Sequence, residues 1–250
     1  MSTQTQALPW LDSGDPFPNP EQAWGQESEA PGLLAAGGDL HVTTLRRAYA
    51  HGVFPWFSEG QPILWWSPNP RMVLKTGDFR LHRSFRKTLH RFKNDARCEI
   101  RFDTAFDEVI QTCADTQRHG QPGTWILPTM VQAYAQLHRA GYAHSIETWV
   151  DGDLVGGLYC VALGQAVFGE SMFAKTPDAS KIALAALVAF CKEHAIGLID
   201  CQQNTAHLAT LGANEMPRSQ FLTCIQGAQN RPSVSWNFSP LYWKHILSDG

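Results

Sequence analysis

The chain lacks the residue patterns that mark metal sites, disulfide frameworks and membrane segments. Its six cysteines form no CxxC pair, and its ten histidines show no HxxxH or HExxH spacing. No uncharged apolar stretch approaches the ~20 residues of a membrane span. The N-terminus lacks the basic and apolar segments of a secretory signal. These absences argue against a zinc ribbon and predict a reduced, cytoplasmic protein without a metal.

The chain also lacks the basic excess that is typical of nucleic-acid coat proteins, because its net charge is −3. One segment departs from this average: residues 79–94, FRLHRSFRKTLHRFKN, contain no acid. Its basic residues mostly follow helical spacing, so most of them could share one helix face. A phosphate backbone is the usual partner of such a stripe. The alternative is a solvated surface helix whose charges are neutralised by acidic residues elsewhere in the fold.

The first 70 residues are expected to form a small N-terminal domain. Residues 1–38 are rich in Pro, Gly and polar residues and predict an irregular segment. Thr43 or Thr44 is expected to cap a helix that ends at Gly52. The segment VFPWFSEGQPILWWSPNPR (53–71) then carries three tryptophans and four prolines. So many rigid aromatic residues suit either a packed seam between domains or a platform for stacking bases.

The remaining residues, 71–250, are expected to form the main domain. Helices are predicted from Asp103, from Pro128, from Asp178 and near Arg218. Three strands with turns at 151–152 and 164–165 precede the third of these helices, and the strand LIDCQ (198–202) follows it. This order predicts an α+β fold with a mixed, largely antiparallel sheet and a crossover helix. It resembles the acetyltransferase-like (GNAT) fold.

The strand LIDCQ places a carboxylate in an apolar run. Its period of two predicts Asp200 and Gln202 on one face and Cys201 on the other. An ionised carboxylate without partners is costly to bury, so Asp200 is either part of the chemistry or bound in a salt bridge at the strand end. Cys201 is expected to face the core, because the sequence shows no His/Asp partner that would make it a nucleophile.

The loop before the third main-domain helix does not suit acetyl-CoA. In the GNAT fold, a glycine-rich loop at this place holds the cofactor pyrophosphate on backbone N–H groups. Here the stretch from Met172 to Lys181 contains no glycine, Pro177 has no N–H, and Asp178 adds a negative charge. If the chain is an acyltransferase, its acyl donor is therefore expected to be something else.

The sequence as a whole resembles the leucyl/phenylalanyl-tRNA–protein transferases. The resemblance runs in order from about residue 30 to residue 222. Its matching pieces are GGDL (37–40), GVFPWF (52–57), ILWWSP (63–68), GTWI (123–126), GYAHSIE (141–147), LVGGLY (154–159), FGESMF (168–173), ASK (179–181), LIDCQ (198–202) and LGA (211–213). The ordered set is specific, although each piece alone is weak.

The resemblance implies an enzyme that moves Leu, Phe or Met from an aminoacyl-tRNA to the N-terminal Arg or Lys of a protein. This transfer marks the acceptor protein for degradation. The family uses neither metal nor CoA, so no cofactor is expected, and a monomer is expected. Two alternatives stay open: a CoA-dependent N-acyltransferase and a non-catalytic tRNA-binding adaptor.

The resemblance also implies roles for individual residues. Aminolysis needs a neutral amine, and Asp200 is the implied base, with Gln202 orienting the amine and ester. A substrate-assisted route through a tRNA hydroxyl stays open, with Asp200 then orienting the reactants. Glu170 would bind the cationic acceptor side chain, or instead form a structural salt bridge.

The remaining implied roles concern the aminoacyl-tRNA. Trp56 and Trp125 would stack on the terminal adenosine. The implied apolar pocket for the donor side chain consists of Phe168, Met172, Leu184 and Ile199. Packing of a hydrophobic core alone would also predict these four residues to be buried. The implied tRNA-binding residues of the basic segment are Arg83, Arg86, Lys87 and Arg91.

Overall fold

The computed structural model describes residues 7–116 and 126–247 and shows two sheets. The smaller sheet has the strand order β1-β2-β4-β3 and lies within the first 70 residues. Its strands are β1 (Trp10–Leu11), β2 (Leu33–Gly37), β3 (Phe54–Pro55) and β4 (Leu64–Trp66). Residues 1–38, which the sequence predicts to be irregular, contain β1 and β2, and the aromatic segment that follows contains β3 and β4.

The larger sheet has seven strands in the order β11-β5-β10-β9-β8-β7-β6. Every neighbouring pair in it is antiparallel except β9 and β10, which are parallel. This arrangement confirms the predicted α+β class and the mixed, largely antiparallel sheet. Its strands are β5 (Arg71–Lys75), β6 (Cys98–Phe102), β7 (Ala143–Val150), β8 (Asp153–Leu163), β9 (Ala166–Ala174), β10 (Leu198–Gln202) and β11 (Asn214–Met216).

Seven α-helices lie within the described residues and pack mainly on the two faces of the larger sheet. Helices α1, α3, α4 and α7 supply apolar side chains to the core on one face, and α2 and α5 supply them to the core on the other. The predicted crossover helix is α5, which connects β9 to β10. The helices are α1 (Val42–Ala50), α2 (Arg83–Asn94), α3 (Phe106–Asp115), α4 (Pro128–Arg139), α5 (Ala179–Glu193), α6 (Ala206–Thr210) and α7 (Arg218–Gln229).

The starts of α1 and α3 differ from the predicted caps, whereas α4 begins at Pro128 and α5 follows Asp178 as predicted. The first turn of α3 is bound by Glu147 of β7, whose carboxylate accepts from the backbone N–H of Thr104 at 2.9 Å and of Ala105 at 2.7 Å. A negative charge at this place stabilises a helix N-terminus. Asp103, the predicted cap, instead accepts from the backbone N–H of Ser145. Helix α1 follows His41 rather than a threonine cap.

The expected boundary between 1–70 and 71–250 falls between the two sheets, since the larger sheet begins with β5. The core nevertheless continues across this boundary. The rings of Tyr49 and Phe168, for example, have centroids 5.1 Å apart. The division into two domains stays a prediction.

Candidate functional site

A cavity opens where β9 and β10 part. The two strands pair only at Val167 with Ile199 and at Phe168 with Asp200, and then separate. A cavity of about 390 Å³ lies at this separation. It is bounded by both strands, by β8, by α5, by α6 and by the segment around β3.

One part of the cavity wall is apolar. It includes Met172, Leu184 and Ile199, which are three of the four predicted donor-pocket residues, together with Leu187. The fourth, Phe168, does not line the cavity and is buried in the core. The alternation of side chains fails here because β9 has an extra residue opposite Tyr159 and Cys160, so positions 168 and 172 lie on opposite faces.

The extra residue of β9 is Glu170, and its carboxylate lines the cavity. Gln202 Nε2 donates to Glu170 Oε1 at 2.8 Å, and the hydroxyl of Tyr134 lies 3.4 Å from Glu170 Oε2. Tyr134 is also hydrogen-bonded to Tyr49. No salt bridge to Glu170 occurs among the described residues. Burial, together with the negative charge of nearby Asp200, raises the pKa of Glu170 to about 8, although hydrogen bonds from Tyr49 and Gln202 and the charge of Arg71 act in the opposite direction.

Asp200 has a different environment. Its two oxygens accept from Arg71 Nε at 2.8 Å and from Arg71 Nη2 at 2.6 Å, and both side chains are fully buried. The guanidinium also donates to the backbone oxygen of Gly52 and lies over the rings of Phe54 and Phe221. Asp200 does not line the cavity. The geometry therefore favours the salt-bridge alternative for Asp200.

The end of β10 does not keep the predicted alternation. Its register against β5 shifts between Asp200 and Gln202, and Gln202 has a φ of 61°, a conformation that is uncommon for residues other than glycine. As a result, Gln202 and Cys201 both line the cavity, and the prediction that they occupy opposite faces is wrong. Burial raises the pKa of the Cys201 thiol, which disfavours a thiolate nucleophile.

The Gln202 backbone is held by Asp200, the acid that the sequence analysis singled out. Its N–H donates to Asp200 Oδ1 at 2.9 Å, while its side chain reaches Glu170. Arg71 thus connects through Asp200 to the cavity wall. The sequence analysis missed Arg71, although a strand acid that must be neutralised was a signal to look for such a cation.

The cavity is also lined by Trp56, which is half-buried, and by residues of α6. The ring of Trp56 lies 5.5 Å from that of Trp66, whose indole N–H donates to the Trp56 backbone oxygen at 2.6 Å. Trp125, the second predicted stacking residue, lies outside the described residues.

The basic segment forms α2 as predicted. Phe85, Leu89 and Phe92 are buried on its inner side. On its outer side, Arg83, Lys87 and Arg91 are exposed and Arg86 is half-buried. None of these four basic residues forms an ion pair within the described parts of the chain, so no acidic side chain there neutralises their charge.

Neither a metal-binding cluster nor a membrane-spanning helix is found among the described residues. Their His, Cys, Asp and Glu side chains form no group of three or more that could hold a metal ion. Within residues 7–116 and 126–247, no helix combines the length and apolar character needed to cross a bilayer.

Comparison with known proteins assigns the family. Residues 73–226 match the profile described as leucyl/phenylalanyl-tRNA protein transferase, and residues 38–69 match the profile of its N-terminal domain. A leucyl/phenylalanyl-tRNA–protein transferase of Polaromonas sp. is 61% identical over 99% of this chain and 97% of its own. A protein of the same name from Albidiferax ferrireducens is 58% identical over 99% and 98%.

Among solved structures, a GCN5-related N-acetyltransferase from Kribbella flavida matches with a TM-score of 0.34 and 10% identity, covering 68% of this chain and 58% of that protein. A likeness this distant says nothing about activity. The sequence comparisons are decisive: the chain belongs to the leucyl/phenylalanyl-tRNA–protein transferase family, a family of aminoacyltransferases.

Proposed function

We propose that this protein transfers Leu, Phe or Met from aminoacyl-tRNA to the N-terminal Arg or Lys of acceptor proteins, acting as a monomer without a cofactor. The observation that carries this proposal is a cavity with an apolar wall at one side and an uncompensated carboxyl, that of Glu170, at another. An apolar donor side chain and a cationic acceptor side chain need these two environments.

The donor side chain would occupy the part of the cavity formed by Met172, Leu184, Leu187 and Ile199. This wall is entirely aliphatic or thioether in character and contains no hydrogen-bonding side chain. Such a wall discriminates weakly between apolar side chains of similar size, so it suits Leu, Phe and Met together. Trp56, which also lines the cavity, would stack on the terminal adenosine.

The acceptor residue would place its guanidinium or ammonium group against Glu170. In the free protein this carboxyl has a pKa of about 8, so at pH 7 it is mostly protonated. An arriving cation favours the ionised form and lowers that pKa. The amide of Gln202, which donates to Glu170, would orient the attacking amine and the ester.

Asp200 would act on the reaction through Gln202 rather than on the substrate. Its carboxylate is enclosed by Arg71 and accepts the Gln202 N–H, so it holds the strand end that presents Gln202. This geometry supports Asp200 as a positioning residue. It gives less support to the alternative of Asp200 as the base that removes the amine proton.

The direct test is incubation with labelled Phe-tRNA and a peptide that begins with Arg. Transfer of the label to the peptide N-terminus is expected. Matched peptides that begin with Ala or Glu should not be labelled. A protein that binds Phe-tRNA tightly but labels no peptide would instead be an adaptor, and the proposal would fail.

The tRNA body is proposed to lie on α2. Charge reversal at Arg83 and Lys87 should weaken binding and flatten its salt dependence, because each neutralised phosphate adds about 0.7–0.9 to the slope. Reversal of Arg231, an exposed arginine outside α2, is the matched control. Equal affinities and slopes for both variants would remove α2 from the interface.

A further inference from the structure

His207 is the one imidazole among the described residues that line the cavity. It lies on α6, one of whose first backbone N–H groups, that of Leu208, donates to the side chain of Thr205 at 3.3 Å. The side chain of His207 is exposed. It can therefore meet a substrate that enters the cavity.

Helix α6 lies between the cavity and the basic helix. At one end Thr205, His207 and Leu208 line the cavity. At the other, the backbone oxygen of Thr210 is 2.9 Å from Nε2 of His82, the residue that precedes α2. Since α6 connects the cavity to the start of α2, a tRNA held on α2 with its 3′ end in the cavity would extend along α6, and its aminoacyl ester would then lie near His207.

The reaction needs a proton acceptor, and the other ionisable groups near the ester fit that role poorly. The carboxyl of Glu170 is mostly protonated at pH 7 and is the partner proposed for the acceptor cation. The thiol of Cys201 has a raised pKa. Asp200 lies outside the cavity wall, with both oxygens bound to Arg71.

The surroundings of His207 keep its imidazole neutral. Although the residue is exposed overall, neighbouring protein atoms displace part of the solvent around its ring, and this desolvation together with the positive charge of Lys181 on α5 lowers the pKa of His207 below its usual value of 6.5. Lys181 is itself 2.9 Å from Asp178 at the start of α5. No other charged group is found to perturb His207. A neutral imidazole with an accessible ring nitrogen is the usual form of a general base.

We propose that His207 is the general base of the transfer reaction. This inference rests on the proposed function. An imidazole nitrogen of His207 takes one proton from the acceptor's α-ammonium group. The freed amine attacks the ester carbonyl carbon, and a C–N bond forms. The ester C–O bond then breaks, the ribose oxygen leaves with the proton from the imidazolium, and the new amide nitrogen releases its remaining excess proton to water.

The test compares the wild-type protein with His207→Gln and His207→Ala, using phenylalanyl-adenosine as donor and a peptide that begins with Arg. A general base typically contributes 10²–10⁴-fold, so kcat should fall by about 100-fold or more while the Tm is retained. Added imidazole should restore part of the activity of His207→Ala. His41→Ala, which removes an exposed imidazole outside the cavity, is the matched control.

A second variant tests the charge that acts on His207. Lys181→Gln removes a cation, so the imidazole should protonate at higher pH. The acid limb of the kcat profile should therefore move to higher pH, and His207→Gln should lose this limb. If His207 had only a structural or tRNA-binding role, Lys181→Gln would not move the acid limb and His207→Gln would keep it.

Two failures can be told apart. If the wild-type protein transfers Phe but the His207 variants keep their kcat and pH profile, the general-base proposal is overturned and the proposed function stands. The general-base proposal is overturned in the same way if only the KM for the donor rises. If the wild-type protein itself transfers nothing to the peptide, the proposed function is overturned, and this inference falls with it.

Discussion

Asp200 and Glu170 lie on neighbouring parallel strands at the point where these strands part, yet their surroundings are opposite. Asp200 is fully buried against a guanidinium that belongs to the fold. Glu170 faces the cavity, its hydrogen-bond donors among the described residues are neutral, and its pKa is raised to about 8. The comparison teaches that a built-in cation makes a carboxylate structural, whereas its absence leaves the carboxyl available for a cation that arrives with the substrate.

The largest effect is expected from removing the cation of the buried pair. Arg71→Met leaves Asp200 ionised and unpaired, which typically costs 3–5 kcal/mol of stability. Urea unfolding measures this loss. In the matched control, Arg97→Met breaks exposed pairs with Asp95 and Asp151 and should destabilise the protein far less, because exposed ion pairs contribute little. Equal losses for the two variants would show that the buried pair is no more important to folding than a surface pair.

The next effect concerns the cavity carboxyl. Glu170→Gln should not lower stability at pH 7, because the native carboxyl is mostly protonated there and the neutral amide avoids the proton uptake that folding of the wild-type protein requires. It should lower kcat/KM for a peptide that begins with Arg by about 10–100-fold, since a hydrogen bond to a charged group contributes about 1.5–3 kcal/mol. The KM for the donor should not change.

The exposed acid Glu108, on α3, provides the matched control for Glu170. Glu108→Gln should keep the kcat/KM of the wild-type protein with the same peptide. If Glu170→Gln also kept it, the cation of the acceptor would have to bind elsewhere.

A graded effect is expected from pH. The pKa of Glu170 rises on folding from 4.5 to about 8, so the native state binds more protons than the unfolded state between these values. The contribution of Glu170 to stability is therefore fully present below pH 4.5 and is lost as the pH rises towards 8. The free energy of unfolding of Glu170→Gln, relative to the wild-type protein, should rise from pH 5 to pH 8. Parallel curves would contradict the raised pKa.

The smallest effect is expected at Cys201, which lies between the two environments on β10. Cys201→Ser should lower kcat by less than about tenfold, because the reaction as proposed uses no thiolate. Steady-state kinetics with Phe-tRNA measure this. A folded but inactive Cys201→Ser variant, together with an active Asp200→Asn variant, would indicate thiol chemistry instead.

The sequence correctly predicted the longer elements, whose pattern of apolar residues extends over neighbouring positions in the chain. The helix α3 buries Val109, Ile110 and Cys113 as its apolar spacing indicated, and α4 buries Met130 and Leu137. The meander β7–β8–β9 followed from alternation and from turns of two residues. In these elements the residues that decide the structure are neighbours in the sequence.

The short strands could not be predicted in this way. β3 consists of Phe54 and Pro55, and β5 has both its partners, β10 and β11, more than a hundred residues further along the chain. Nothing in a local window indicates such partners. Tertiary pairing, not propensity, decides these segments.

The sequence analysis identified most residues of the candidate site, but two strand irregularities made its predicted side-chain directions wrong. The family resemblance pointed to Glu170, Gln202 and most of the apolar wall, which the structure brings together around one cavity. The extra residue in β9 moved Phe168 to the core, and the shift in β10 turned Gln202 into the cavity beside Cys201. Period-two reasoning assumes regular strands, so it cannot detect either irregularity.

The position of β5 also constrains how the protein is made. β5 lies between β10 and β11, and 122 residues lie between Lys75 and Leu198. At about 5–20 residues per second, a ribosome needs roughly 6–25 s to synthesise that stretch. During this time Met72, Val73 and Leu74 have no strand to pair with. The nascent chain therefore carries an aggregation-prone segment that only the last fifth of the protein can cover, and a chain truncated before Leu198 is expected to require chaperones or be degraded.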